Sequence, residues 1–91
     1  MAKQTLETLE KKAIKEYLKY KGVFYYHNLA GLGVYPGLPD LTVIKDGKVI
    51  QIEVKVKAKQ SDNQKLFQEK WESNGGTYII GNLDTVIKII K

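Results

Sequence analysis

The fold turns on residues 40–55, DLTVIKDGKVIQIEVK. Two runs rich in Val and Ile flank Asp46-Gly47, a dipeptide that tolerates the positive φ angles of a two-residue hairpin turn. The flanking strands are expected over about Asp40 to Lys45 and Lys48 to Lys57. In the second strand Ile50, Ile52, Val54, Val56 and Ala58 share one face, which should cover a core. Val49, Gln51, Glu53, Lys55 and Lys57 share the other face. Counting outward from the turn pairs Lys45 with Lys48 and sets Asp40 opposite Glu53, with Lys55 two residues further on the same face. A bulge would break that count.

Two facing carboxylates repel, and one pKa rises unless a cation separates them. Oxygen ligands of this kind suit Mg²⁺ or Mn²⁺. Such a cation can polarise a phosphate oxygen and bind the attacking water. Lys55 can hold a phosphate or position the water, and the Val54 carbonyl can be a further ligand. The plainer reading is a solvated sheet face with ordinary cross-strand charge pairs.

Outward from the hairpin, Leu6, Leu9, Ala13, Ile14, Tyr17 and Leu18 recur at helical spacing behind a candidate cap at Thr5. A helix is therefore expected from about Thr5 to Lys21, ended by Gly22, with Glu7 and Glu10 early in it, where carboxylates suit the dipole. Val23 to His27, VFYYH, is β-prone. The segment NLAGLGVYPGLPD that follows has too many Gly and Pro for a regular element. It is also too apolar for a solvated linker, so it should pack down or form an interface. Ser61 should cap a helix over DNQKLFQEKWES with Leu66, Phe67 and Trp71 on its apolar side, Trp71 being read as core. Asn74-Gly75-Gly76 ends it, and Thr77 to Ile80 reads as a strand. Asn82 should cap a short helix from Leu83 to about Ile90, with Val86, Ile87 and Ile90 inward. A strand from Thr85 is the alternative. The order is α-β-β-β-α-β-α, a small α/β domain with a mixed sheet between helices.

The chain of 91 residues is read as one domain, and an oligomer would add to its small core. With 43% hydrophobic residues, six Tyr, one Trp and two Phe, it should be folded except at the first few residues. Fifteen basic against ten acidic residues leave a net charge of +5, which favours a polyanionic partner. The absence of Cys excludes disulfides and Cys-based zinc sites. No apolar run reaches transmembrane length, and MAKQTLETLEKKA has no signal-like apolar region, so a cytoplasmic location is expected, in a bacterial or phage-infected cell.

GLPDL followed by IEVK resembles the metal-site signature of the PD-(D/E)XK nuclease superfamily, and in particular the VRR-NUC family. The resemblance covers nearly the whole chain: a helix-one Glu (Glu7 or Glu10), a glycine-rich loop through Gly31 and Gly33, Gly37-Leu38-Pro39-Asp40, Glu53-Val54-Lys55, and a helix opening with Gln64. The link VKAKQSDNQ departs from the family in lacking a Gly before that helix. The resemblance implies a restriction-endonuclease-like fold and a metal-dependent nuclease. Asp40 and Glu53 would bind Mg²⁺ or Mn²⁺ with help from the helix-one Glu, where the motif position favours Glu7. Lys55 would be the catalytic lysine, and Gln64 would contact phosphate or orient water. It further implies structured DNA as substrate, among which a four-way (Holliday) junction cut by a homodimer is one form. A flap or nicking nuclease and a non-catalytic DNA-binding module are the alternatives. Lys45, Lys48, Lys57, Lys59 and Lys65 are candidate backbone contacts, or an ordinary solvated face. Tyr25, Tyr26 and Tyr35 can stack on bases or pack in a core or dimer. His27 has a structural or surface role, or contacts a base or phosphate.

Overall fold

A computed structural model describes residues 5–91, so the expectation for the first few residues lies largely outside the described residues. The elements follow the expected order: α1 (Leu6–Tyr20), β1 (Phe24–His27), β2 (Leu41–Lys45), β3 (Lys48–Val54), α2 (Asp62–Ser73), β4 (Thr77–Gly81) and α3 (Leu83–Ile89). The sheet runs β1-β2-β3-β4. β1, β2 and β3 pair antiparallel, whereas β4 runs parallel to β3. A parallel pair cannot be joined by a tight turn, and α2 supplies the crossover.

Local chemistry fixes the boundaries. Thr5 caps α1 by accepting from the Thr8 amide, and Gly22 at φ 70° ends it. Asp46 and Gly47 both take positive φ, as the hairpin turn requires, and lock Lys45 opposite Lys48. Ser61 and Gln64 close a capping box on α2. Asn82 and Thr85 do the same for α3, which decides that segment as helix rather than strand.

One sheet face carries the core. Leu41, Val43, Ile50, Ile52, Val54 and Ile79 meet Ile14 and Leu18 of α1 and Val86 and Ile90 beside α3. Tyr17, at the edge of this cluster, donates its hydroxyl to the Ile90 carbonyl at 2.6 Å. The other face is different. Thr42, Gln51 and Glu53 lie on it and are buried, beneath an aromatic cover in which Phe67 stacks on Trp71 and leans on Tyr78.

Several expectations need correction. β3 stops at Val54, because its neighbour β4 ends at Gly81, so Val56 and Ala58 are exposed rather than core. Gln51 and Glu53 are buried, not solvated, because the crossover returns α2 over their face. Only the second half of the α1 stripe is covered, leaving Leu6 and Leu9 exposed. Leu66 of α2 and Ile87 of α3 also face out, and Trp71 is only half-buried, its indole N–H spent on the Thr77 carbonyl. In the glycine-rich loop Leu29 and Leu32 are exposed, whereas Val34 and Leu38 are half-buried and Pro39 is buried.

A glycine does lie against the start of α2, but it comes from the glycine-rich loop. Gly37, at φ 77°, lies against α2, where a Cβ would run into the Asn63 carbonyl. Gly33 also has positive φ, 86°, but faces open space. Gly37→Ala therefore combines backbone strain with a clash and should cost about 2 kcal/mol or more. Gly33→Ala carries the strain alone and should cost about 1 kcal/mol. Urea unfolding of the two variants measures the difference, and equal losses would remove the packing role of Gly37.

Candidate active site at the end of the hairpin

Asp40, Glu53 and Lys55 converge where β2 begins and β3 ends. The hairpin ladder follows the expected register up to Leu41 opposite Ile52. The count then fails at its last step. The Asp40 amide donates to the Ile52 carbonyl at 3.0 Å, so Asp40 and Leu41 both address Ile52. The physical reason is the Asp40 side chain, whose Oδ2 accepts from the Val54 amide at 2.7 Å and takes the place of a backbone partner. Asp40 is thus held against the peptide that joins Glu53 to Val54, and its charge still acts on Glu53.

Asn28, just after β1, fixes the Pro39-Asp40 peptide. Its backbone N–H donates to the Asp40 carbonyl at 2.9 Å and its side-chain amide donates to the Pro39 carbonyl at 3.0 Å. That amide is itself held by Thr42, which donates to Asn28 Oδ1 at 2.7 Å, and by Gln51 Oε1 at 3.1 Å. Thr42 and Gln51 are cross-strand partners and bond each other at 3.1 Å. The buried polar groups are thereby satisfied, which removes the penalty of placing them under a helix.

Glu53 is 2% exposed. Burial, and then the Asp40 charge, push its carboxyl from the ordinary 4.5 up to about 7, against the pull of Lys55 and of a hydrogen bond from Tyr78. The Tyr78 hydroxyl lies 3.4 Å from Glu53 Oε1. Burial and the Glu53 charge in turn push the phenol well above the ordinary tyrosine range. Lys55 Nζ stands 3.7 Å from Glu53 Oε2 and is mostly covered. Glu7 of α1 also raises Glu53, so its charge reaches the site. Glu10 is engaged elsewhere: its carboxylate accepts from the Leu83 amide at 3.0 Å, in the first turn of α3.

The remaining sequence candidates scatter. Gln64 gives its side-chain oxygen to the Ser61 amide at 2.8 Å as part of the capping box. It also lines a groove of about 510 Å³ between α2 and the glycine-rich loop. Tyr35 edges onto Phe67 and receives a 3.4 Å contact from Lys70, pinning the loop to α2. Lys57, Lys59 and Lys65 are exposed on the link and on α2. Lys45 and Lys48 flank the hairpin turn, at the opposite end of the hairpin from Asp40 and Glu53. The sequence reading missed Lys11, whose ammonium lies 2.9 Å from Asp40 Oδ1, and the Asn28, Thr42 and Gln51 clamp. The hairpin register could have found Thr42 facing Gln51, whereas nothing local in sequence points Lys11 at Asp40.

Searches with protein-family models gave no match, and no curated protein matched. Solved structures did. One "VRR_NUC domain" structure superposes with a TM-score of 0.78 at 27% identity, covering 96% of each chain. A "VRR_NUC domain protein" superposes with a TM-score of 0.76 at 20% identity, over 98% of this chain and 88% of the other. The chain shares the VRR_NUC domain fold. Asp40, Glu53 and Lys55 are the residues quoted above for the sequence resemblance to that family, and the fold brings them together.

Among the described residues no group of three or more His, Asp or Glu side chains is gathered at metal-binding distance. The donor set still fits a hard cation. Two carboxylates meet at one strand end, one of them buried and driven toward protonation, and an ammonium already stands on the other. Mg²⁺ commonly takes only one or two protein carboxylates and leaves its other positions to water and phosphate.

The raised Glu53 pKa carries a sign for stability. The folded protein holds this proton more tightly than the unfolded chain between pH 4.5 and about 7. That contribution is complete below pH 4.5 and is lost as pH rises through 7. In metal-free buffer, denaturant titrations should show wild type losing stability across this window relative to Glu53→Gln. Parallel pH profiles of the two proteins would contradict the assignment.

Proposed function

We propose that this chain is a metal-dependent endonuclease that hydrolyses phosphodiester bonds in structured DNA. The observation that carries this reading is the convergence of Asp40, Glu53 and Lys55 at one strand end, with Glu53 buried and its pKa raised despite Lys55. Mg²⁺ or Mn²⁺, held by Asp40 and Glu53 with Glu7 and the Val54 carbonyl nearby, would supply Lewis-acid activation of the phosphate and the attacking water. Lys55 places an ammonium beside the reacting phosphate, where it stabilises the negative charge that builds as water adds and the ester oxygen leaves. Asn28 keeps Asp40 in place, and Tyr78 does the same for Glu53. The free amide nitrogen of Gln64 is suited to a phosphate oxygen.

A domain of 91 residues has little surface for reading a long sequence, which favours recognition by shape. A four-way junction cut by a homodimer is the specific form proposed, since a two-fold pair of sites gives two symmetric cuts. Support for a second copy comes from the open part of the sheet. Phe24, Tyr26, Ile44 and Val49 lie on one face of β1, β2 and β3 and are 64%, 52%, 44% and 40% exposed, an apolar patch that a partner would cover. Ile44→Lys should shift sedimentation from dimer to monomer while leaving the far-UV spectrum unchanged. A monomeric wild type would remove the dimer.

The test of activity uses labelled four-way junction, flap, single-stranded and linear duplex DNA with Mg²⁺, Mn²⁺ or EDTA. Paired cuts in the junction are expected with either metal and none with EDTA. Asp40→Ala and Lys55→Ala should each lower the rate at least about 10²-fold. Cutting of the other DNAs instead would discard the junction and keep the nuclease. Binding without cutting in every metal would make the chain a DNA-binding module.

A further inference from the structure

Each carboxylate of the site has its own lysine. Lys55, just past the end of β3, serves Glu53 at 3.7 Å. Lys11 serves Asp40 from α1, at 2.9 Å, the closer of the two contacts. Both oxygens of Asp40 are thereby engaged, Oδ2 by the Val54 amide and Oδ1 by the Lys11 ammonium. The Val54 contact is a backbone bond between elements that must stay paired. The Lys11 contact is made by a flexible four-carbon stem, partly open to solvent. Any second cation at Asp40 must share Oδ1 with Lys11 or displace it.

We propose that Lys11 is the built-in counter-ion of this site, which competes with the divalent cation for Asp40 and, once displaced, binds the DNA phosphodiester backbone. This rests on the nuclease reading above. Two features give the displaced ammonium its destination. Lys15 follows Lys11 by one helical turn, so both project from one side of α1. Both act on His27, which burial and then these two lysines hold below its ordinary pKa, against the opposing pull of Asp40. Lys11 and Lys15 thus form one positive surface beside Asp40 and a His27 kept uncharged, whereas Lys45 and Lys48 lie at the far end of the hairpin.

A merely structural ion pair, tying α1 to the start of β2, predicts something different. Loss of Lys11 would then loosen the site and weaken or leave unchanged its hold on metal. Displacement predicts the opposite sign. Lys11→Met keeps most of the stem and removes the charge. Titration calorimetry with Mn²⁺ alone, without DNA, should show Lys11→Met binding about 5- to 10-fold tighter than wild type, with Lys11→Arg close to wild type. In Ca²⁺, the salt dependence of four-way-junction affinity should flatten by about one unit in Lys11→Met, as for one lost phosphate contact. In EDTA the two proteins should have equal slopes, because there Lys11 remains on Asp40. Circular dichroism of each variant checks that it is folded. Equal or weaker Mn²⁺ binding by a folded Lys11→Met would overturn the proposal and leave the nuclease reading standing. A wild type that binds no Mn²⁺ would overturn both.

Discussion

The hydrogen bond from the Val54 amide to Asp40 is the constraint on which the site depends. A carboxylate standing in for a backbone acceptor ends the β2–β3 ladder early and turns the Asp40 charge toward Glu53. Everything nearby answers to that. Asn28 holds the peptide that carries Asp40, and Thr42 and Gln51 hold Asn28. Lys11 sets a positive charge against the other oxygen of Asp40. Glu53, left with a longer contact to Lys55, bears the cost as a raised pKa.

The two sheet faces divide the work. The face toward α1 and α3 carries a buried cluster of Ile, Leu and Val that holds the molecule together. The face toward α2 buries Thr42, Gln51 and Glu53, which would be costly without partners. It is tolerable because each polar group is bonded within a short network, and no buried side-chain polar atom among the described residues is without a partner. That rigidity is useful in a site whose acids must stay close despite repulsion. The same design explains why Gly37 must be glycine: the loop that carries Asp40 can reach its place only by running directly over the backbone of α2.

Much of this was legible in the sequence. The Asp46-Gly47 turn fixed the hairpin register, and the caps at Thr5, Ser61 and Asn82 fixed three helix starts. Periodicity was less informative about exposure. It could not show that β4 stops at Gly81 and strands Val56, nor that α2 returns over Gln51 and Glu53. Both depend on which elements become neighbours. In the site, Asp40, Glu53 and Lys55 could be read from turn and spacing, although the last step of the register slipped. Lys11 could not, because its contact joins α1 to a loop 29 positions later and no local pattern encodes it. The choice between Glu7 and Glu10 also needed three dimensions, since Glu10 is occupied at the start of α3.

Asp40 and Glu53 are proposed to hold one divalent cation between them. The most direct measurement is the anomalous scattering of Mn²⁺ in crystals of the wild-type protein. A single strong peak is expected between the two carboxylates, with Lys11 moved off Asp40. A crystal grown at saturating Mn²⁺ with no peak there, and with Lys11 still paired to Asp40, would contradict it.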